Sequence, residues 1–171
     1  MGKGFLAEVV EKWEAANSGF ADLGIRTAML RIGIVLSTKG GALEKMLPTY
    51  KVRVGTYFGD GSQYYSWIHI DDLCEMFAFA IQNKNVEGVY NAVALKPVTN
   101  KYLAEAIGTA LNSKAILLPA PAFAMRLAMG EMAEIVLDGV RLSPKKIIDA
   151  GFRFMYDDVE YALRDVVERK I

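Results

Sequence analysis

The sequence predicts an α/β fold with mostly parallel strands and flanking helices. The apolar run of residues 28–37, rich in Ile and Val, is typical of a strand that is covered on both faces, and a second run, residues 88–93, predicts another strand. Segments with apolar residues at helical spacing separate these runs, which favours alternating strands and helices. With 171 residues, 53% of them hydrophobic, the chain is long enough to bury a core as a single domain.

The first elements are a helix, a strand and a second helix. Apolar residues recur at helical spacing over residues 4–16, which predicts an amphipathic helix. AMLRIGIVLS, residues 28–37, predicts one continuous strand. GGALEKMLP, residues 40–48, then predicts a turn and a short helix that Pro48 helps to end.

The stretch FGDGSQYYSWIHIDDL, residues 58–73, contains the only histidine of the chain. The alternation in WIHI predicts a short strand that places Trp67 and His69 on the same face. Asp71 or Asp72 is expected to cap the helix that follows, because short acidic side chains accept hydrogen bonds from the first free amides of a helix.

The next elements repeat the alternation of strand and helix. Residues 88–93 predict a strand, residues 100–111 a helix capped by Thr99, and residues 115–119 another short strand. Residues 121–137 predict one helix that is apolar on most of its circumference, and such a helix needs cover from the core, a partner or a ligand.

Two short helices complete the prediction. Ser143 and Pro144 form a typical helix start, and Gly151 suits its end. Asp157 and Glu160 have the spacing of a capping box before the last helix.

The glycines of FGDG leave two interpretations of this loop. Glycine allows backbone N–H groups to approach an anion closely, so the loop either adjoins a ligand or is a purely structural turn. It lacks the Lys-Ser/Thr ending of a P-loop and does not match G-x-G-x-x-G. A metal site from His69, Asp71 and Asp72 is disfavoured because consecutive strand positions point apart, and no metal ligand is predicted.

No catalytic residue is predicted from the residue pattern. His69 is either a general base or a hydrogen-bonded histidine at a strand end. Cys74 is flanked by Leu73, Met76 and Phe77, which favours a packed thiol over a nucleophile.

Charge and cysteine content narrow the expected partners and location. Twenty basic and twenty acidic residues give a net charge of zero, so neither nucleic acid nor a membrane is expected as a partner. The single cysteine and the absence of an apolar signal core at the start favour a cytoplasmic protein.

Several motifs together resemble one known family. They are LRIGIVLSTKGGALEKMLP, GDGSQYYSWIHIDDL, GVYNAVALKPVTN, SPKKIIDAGFRF and DDVEYALRDVV. The chain is similar to the C-terminal half of epimerase-like, atypical extended short-chain dehydrogenase/reductases, which carry a C-terminal domain of unknown function. The resemblance implies a Rossmann-like remainder with substrate-side elements over residues 1–115 and a family-specific helical region over residues 116–171.

The resemblance also implies what this sequence does not contain. Members of that family bind NADP through a glycine-rich fingerprint and carry a Ser and Tyr region, and both precede the matched part. The expectation is therefore that this chain lacks the N-terminal dinucleotide-binding half, holds no NADP tightly and is inactive alone.

The remaining site residues follow from the same resemblance. Gly33, Ile34 and Leu36 correspond to positions that contact the cofactor. The expected contacts to an unknown small-molecule substrate are Gly41, Met46, Gln63, Tyr65, Trp67 and His69. Tyr65 stands where sugar-nucleotide epimerases present an arginine, and a tyrosine cannot make a bidentate charged contact with phosphate.

The sequence therefore favours two alternative functions. The first is the substrate-side part of a NADP-dependent epimerase or oxidoreductase, and the alternative is a non-catalytic interaction or assembly module derived from that family. Because the edge of the 28–37 strand and the apolar helix over 121–137 both need cover, the chain is expected to be a homo-oligomer or part of a longer chain.

Overall fold

A computed structural model describes residues 5–130 and 133–169 of the chain. Helices and strands alternate along these residues, as the sequence predicts. The elements are α1 (Phe5–Asp22), β1 (Ala28–Ile32), β2 (Ile34–Leu36), α2 (Gly41–Lys51), β3 (Val54–Phe58), β4 (Tyr64–Tyr65), β5 (Trp67–His69), α3 (Ile70–Gln82), β6 (Gly88–Ala92), β7 (Val98–Thr99), α4 (Asn100–Ala110), β8 (Ile116–Ala120), α5 (Ala122–Met129), α6 (Ala133–Leu137), α7 (Lys145–Asp149) and α8 (Val159–Glu168).

Strand pairing is mainly parallel in the described residues. The parallel pairs are β1 with β6, β2 with β5, and β3 with β8, whereas β4 and β7 are antiparallel. Parallel pairs need long crossover connections, and the helices provide them. The prediction of an α/β fold with mostly parallel strands and flanking helices is confirmed.

The prediction of one continuous strand over residues 28–37 is wrong, because the strand is interrupted at Gly33. Gly33 N–H donates to the Ala92 carbonyl, whereas the next amide, Ile34 N–H, donates to the Ser66 carbonyl. A Cβ atom at Gly33 would lie 2.4 Å from the Ser66 oxygen, so the backbones approach as closely as only glycine allows. The strand thus pairs with β6 before Gly33 and with β5 after it.

Two predicted helix ends also differ from the structure. The helix predicted over residues 4–16 continues to Asp22, and residue 4 lies outside the described residues. Helix α2 does not end at Pro48 but continues to Lys51, since an internal proline removes one hydrogen bond without always breaking a helix.

The apolar segment 121–137 forms two helices rather than one. Helix α5 ends at Gly130, whose φ of 59° is a left-handed conformation that suits glycine. Helix α6 follows over Ala133–Leu137, and residues 131 and 132 lie outside the described part. The segment is therefore divided after Met129, and α5 and α6 contact each other.

Helix caps are partly as predicted. Thr99 caps α4, as expected, by accepting a hydrogen bond from Tyr102 N–H. The cap of α3 is His69 rather than Asp71 or Asp72, and the cap of α8 is Asp158 rather than Asp157. Each of these caps accepts hydrogen bonds from amides in the first turn of its helix.

Two hydrophobic cores lie on opposite faces of β5. Trp67 belongs to the first core, together with Leu36 and Leu103, whereas Ile68 belongs to the second, together with Met76. The alternation predicted for WIHI is therefore present. Among the residues that the structure describes, no helix has the length and apolar composition needed to cross a bilayer.

Candidate functional site

An apolar cleft of about 340 Å³ opens beside β2, between α2, α4 and α6. All of its lining residues are apolar except Lys45 and the phenol of Tyr65. The lining residues are Ile34, Leu36, Ala42, Leu43, Lys45, Met46, Phe58, Tyr65, Leu103, Ile107 and Val136. Ile34 and Leu36 face the cleft together because alternate residues of a strand share one side.

The wall formed by α6 is held in place by two hydrogen bonds to one carbonyl. Tyr65 OH donates to the Val136 oxygen at 2.5 Å, and Gln63 Nε2 donates to the same oxygen at 3.1 Å. Burial raises the pKa of Tyr65 to about 12, so its hydroxyl remains protonated and continues to donate at neutral pH. Both polar side chains therefore bind protein rather than point freely into the cleft.

The segment after α6 continues along the same strand. A Cβ atom at Gly139 would lie 2.5 Å from the Tyr64 oxygen, so this contact requires glycine. Ser66 Oγ donates to the Val140 oxygen at 2.7 Å and accepts from Leu142 N–H at 2.9 Å. Residues 136–142 are thus fixed to residues 63–66 over their whole length.

A second, polar cluster surrounds His69, which is 0% exposed. His69 Nδ1 accepts from Asp71 N–H at 3.1 Å, so the neutral ring carries its proton on Nε2, which donates to Asp165 Oδ2 at 3.1 Å. The ring of Tyr156 stacks on the imidazole with 3.6 Å between centroids. Burial lowers the pKa of His69, and the attraction of Asp71 and Asp165 offsets this effect only in part.

Arg169 joins the acidic groups of this cluster. Its guanidinium donates to both carboxylate oxygens of Asp71, and its Nε lies 2.6 Å from Asp165 Oδ2. The hydrogen bonds from Arg169 hold the pKa of Asp71 below its usual value. His69, Asp71 and Asp165 could offer metal ligand atoms within 4.8 Å of one another, but both carboxylates are already paired with Arg169.

Asp72 has a different role from its neighbour Asp71. Its two carboxylate oxygens accept from Met155 N–H at 2.8 Å and from Tyr156 N–H at 3.0 Å. Burial raises the pKa of Asp72, although these hydrogen bonds act in the opposite direction. Asp72 therefore fixes the segment before α8 to the start of α3.

The FGDG loop is a turn whose amides are bonded to the protein. Gly59 N–H donates to the Ala120 oxygen and Gly61 N–H to the Phe58 oxygen. Asp60 accepts from both the backbone and the hydroxyl of Ser62, at 2.9 and 2.8 Å. Few amides remain to hold a phosphate, so the geometry supports the structural interpretation of this loop.

Comparisons with known proteins identify the family. Residues 8–93, half of the chain, match the model of the NAD dependent epimerase/dehydratase family. The chain belongs to this family. Residues 120–166, which include α5, α6 and most of α8, match a domain of unknown function, DUF1731.

Similar proteins come from distant organisms. The Staphylococcus aureus epimerase family protein SAB0724c is 38% identical over 165 residues, which are 96% of this chain and 55% of that protein. The crystal structure of the human epimerase family protein SDR39U1 with NADPH aligns with a TM-score of 0.81 and 31% identity, covering 85% of this chain and 49% of the human chain. The Corynebacterium glutamicum nucleoside-diphosphate sugar epimerase aligns with a TM-score of 0.73 and 32% identity, covering 96% of this chain and 31% of that one.

These alignments establish the fold and the extent of the match. The chain has a Rossmann-like α/β fold, and it spans about half the length of the curated relatives that it matches.

The structure brings together only some of the residues expected at the site. Ile34, Leu36, Met46 and Tyr65 line the cleft. Five other expected residues do not line it: Gly33, Gly41, Gln63, Trp67 and His69. Trp67 is fully buried and donates its Nε1–H to the Lys96 oxygen at 2.9 Å. The roles of all these residues in binding a ligand stay predictions.

Sequence reasoning missed Leu103, Ile107 and Val136 as cleft residues. Leu103 and Ile107 share the buried face of α4, at a spacing of four residues that any core helix shows. Val136 lies in the apolar segment 121–137, which is predicted to need cover. No other feature of the sequence indicates that Val136 lines a cleft.

The residues expected beside a nicotinamide cofactor could contact its nicotinamide ring but not its pyrophosphate. Ile34 and Leu36 offer carbon atoms along one cleft wall, which suits a flat ring. The space that Gly33 leaves is filled by the Ser66 backbone and by Val93, so it is not an open cradle. These three residues provide no donor for a pyrophosphate, and no step of a reaction follows from them alone.

Proposed function

We propose that this chain forms the substrate-side half of a NAD(P)-dependent, epimerase-like oxidoreductase of the atypical extended short-chain dehydrogenase/reductase type. The observation that supports it is the composition of the cleft. Ile34 and Leu36, expected on the cofactor side, line the same cleft as Met46 and Tyr65, expected on the substrate side. The similarity to a human family member solved with NADPH supports the choice of cofactor.

The contribution of the chain itself is to bind and orient a substrate in an apolar cleft. The cleft offers no acid or base apart from Lys45 and the Tyr65 hydroxyl, which is bound to Val136. We propose that the groups that transfer protons and hold the pyrophosphate come from residues outside this sequence, so that the chain alone is inactive.

Calorimetric titration with NADPH tests this function. The chain alone is expected to bind weakly, and the chain joined to the part of the S. aureus relative that it does not match is expected to bind NADPH. A dissociation constant of about 1 µM for the chain alone, equivalent to ~8 kcal/mol of binding free energy, would contradict the proposal that the pyrophosphate-binding groups lie outside this sequence. Failure of the joined protein to bind NADPH would overturn the function.

An assembly role is the second candidate, and exposed apolar side chains favour it. Phe123 and Leu127, four residues apart on α5, are 74% and 88% exposed, and Ile116 on β8 is 69% exposed. Phe123 and Leu127 share one face of α5, and large apolar side chains exposed on one face often mark contacts with another chain. We propose that the chain forms a homo-oligomer or meets the rest of a longer protein through this region.

Light scattering at low micromolar concentration tests assembly. The chain is expected to be a dimer, and the double substitution Phe123→Ser and Leu127→Ser is expected to shift it toward a monomer. A wild-type monomer with a cooperative thermal transition would remove the support for self-assembly.

A further inference from the structure

We infer that the cleft accepts a compact, uncharged and largely apolar substrate, such as an alicyclic ketone or alcohol, rather than a sugar nucleotide. That the occupant is a substrate rests on the proposed function, whereas the binding preference rests on the cleft alone.

The interior of the cleft gives the first reason. Its walls are aliphatic side chains, Phe58 and the ring of Tyr65. A sugar hydroxyl placed there would lose its hydrogen bonds to water, and burying such a group without a partner is unfavourable. An apolar ring instead gains from removal of its surface from water.

The polar groups nearest the cleft give the second reason. Tyr65 OH and Gln63 Nε2 both donate to the Val136 carbonyl. To donate to a substrate, either side chain must give up a hydrogen bond to the protein, because the Tyr65 hydroxyl has one proton and Gln63 Nε2 already donates to the Phe58 and Val136 oxygens. We therefore assign Gln63 and Tyr65 as positioning residues that shape the cleft.

Charge and size give the third reason. Lys45 is the single charged residue in the lining, and it is exposed on α2. A diphosphate needs several donors, whereas this cleft has one lysine at its edge. Its volume of about 340 Å³ lies near the lower end of small-molecule sites, about 300–1,000 Å³, which suits a compact ligand.

A fluorescence titration of the 171-residue chain with N-phenyl-1-naphthylamine tests the preference directly. This uncharged probe becomes more fluorescent in apolar surroundings, and we expect saturable binding. Ala42→Phe places a ring at the exposed edge of the cleft and is expected to weaken binding at least about tenfold by filling a largely apolar pocket. Ala16→Phe, the same change on exposed α1, is the matched control and is expected to leave binding unchanged.

Met46→Trp is the second filling variant, and circular dichroism establishes that each variant is folded. If Ala42→Phe does not fold, Met46→Trp must show the same loss. Absence of saturable binding, or equal binding by a folded filling variant and the Ala16→Phe control, would overturn the inference.

Displacement of the probe separates the substrate classes. Cyclohexanone is expected to displace the probe at lower concentration than UDP-glucose. The reverse order would contradict an apolar preference and leave the proposed function intact. Probe binding in the cleft combined with no NADPH binding by the joined protein would instead refute the proposed function while the preference stands.

Discussion

The cleft and the polar cluster are both built on residues 58–73, yet they differ in chemistry and access. Phe58 and Tyr65 line an apolar cleft, whereas His69 is fully buried within a group of partly exposed charged residues. In the cluster, His69, Asp71 and Asp72 are hydrogen-bonded to residues near α8. In the cleft, the polar side chains are bonded to α6, and carbon atoms face the open space.

The comparison teaches that residue type alone does not locate a ligand site. Histidine and aspartate are typical catalytic residues, but here their hydrogen-bonding capacity is used within the protein. A buried polar network of this kind stabilises one arrangement of the chain because each group left unpaired is costly. The cleft, which is lined by neither histidine nor aspartate, offers apolar space for a ligand.

The largest expected effect comes from Gly33→Ala, which would disturb the junction between the two regions. The new Cβ would lie 2.4 Å from the Ser66 oxygen, and Ser66 separates cleft strand β4 from cluster strand β5. We expect a loss of at least ~3 kcal/mol in unfolding free energy, because a backbone must shift. Urea denaturation measures it.

Gly19→Ala is the matched control for Gly33→Ala. A Cβ at Gly19, within α1, meets nothing within 4 Å. Alanine should stabilise this helix by about 0.5–1 kcal/mol. A similar small effect at Gly33 would show that the two backbones are not in close contact.

Asp72→Ala breaks the polar cluster and leaves the cleft intact. It removes the acceptor of Met155 N–H and Tyr156 N–H, and a buried donor without a partner costs about 1–3 kcal/mol. We expect the free energy of unfolding, measured by chemical denaturation, to fall by ~3 kcal/mol. The affinity of the folded molecules for the probe should not change. Asp157→Ala is the control because Asp157 is exposed, and it should change the free energy of unfolding by less than about 0.5 kcal/mol.

A pH titration of stability examines His69 without any substitution, because the chain has one histidine. Burial lowers the pKa of folded His69 below 6.5, so the unfolded chain binds a proton first as the pH falls. Stability is therefore full above pH 6.5 and decreases below it, by at most about 1.4 kcal/mol per pH unit. Denaturation midpoints at pH 7.5 and 5.5 measure this change.

His69→Gln should flatten this pH dependence. A midpoint that rises between pH 7.5 and 5.5 would mean that Asp71 and Asp165 outweigh burial and that His69 is charged in the folded protein. The interpretation of His69 as a neutral buried histidine would then be wrong.

Tyr65→Phe has the smallest expected effect on stability and changes the cleft but not the polar cluster. It removes one of two donors to the Val136 carbonyl, which should cost about 1 kcal/mol in unfolding free energy because Gln63 still donates. Tyr161→Phe is the control, since Tyr161 is 58% exposed. Equal effects of the two substitutions would remove the evidence that Tyr65 fixes α6.

How well the sequence predicts each region depends on how far apart along the chain the contacting residues are. Local patterns were sufficient for α4 and its Thr99 cap and for the alternation of Trp67 and Ile68. They were insufficient at Gly33, where the reason for the break is a backbone 33 residues further along the chain.

The candidate site was less predictable than the fold for the same reason. His69 and its partner Asp165 are 96 residues apart, and Tyr65 and Val136 are 71 residues apart. Neither pairing has a local signal, because a buried partner imposes no periodicity on the sequence around it. Ile34, Leu36 and Met46 were expected at the site from family resemblance, whereas Leu103 and Ile107 have the pattern of ordinary core residues.

Methyl NMR of the chain titrated with cyclohexanone tests most directly whether the cleft, rather than the polar cluster, binds a ligand. We expect saturable shifts of the methyl signals of Ile34, Met46 and Ile107, which line the cleft. The signals of Ile68 and Ile70, on either side of His69, should not move. Shifts confined to Ile68 and Ile70, or no saturable shift at the cleft, would contradict the assignment of the cleft as the ligand site.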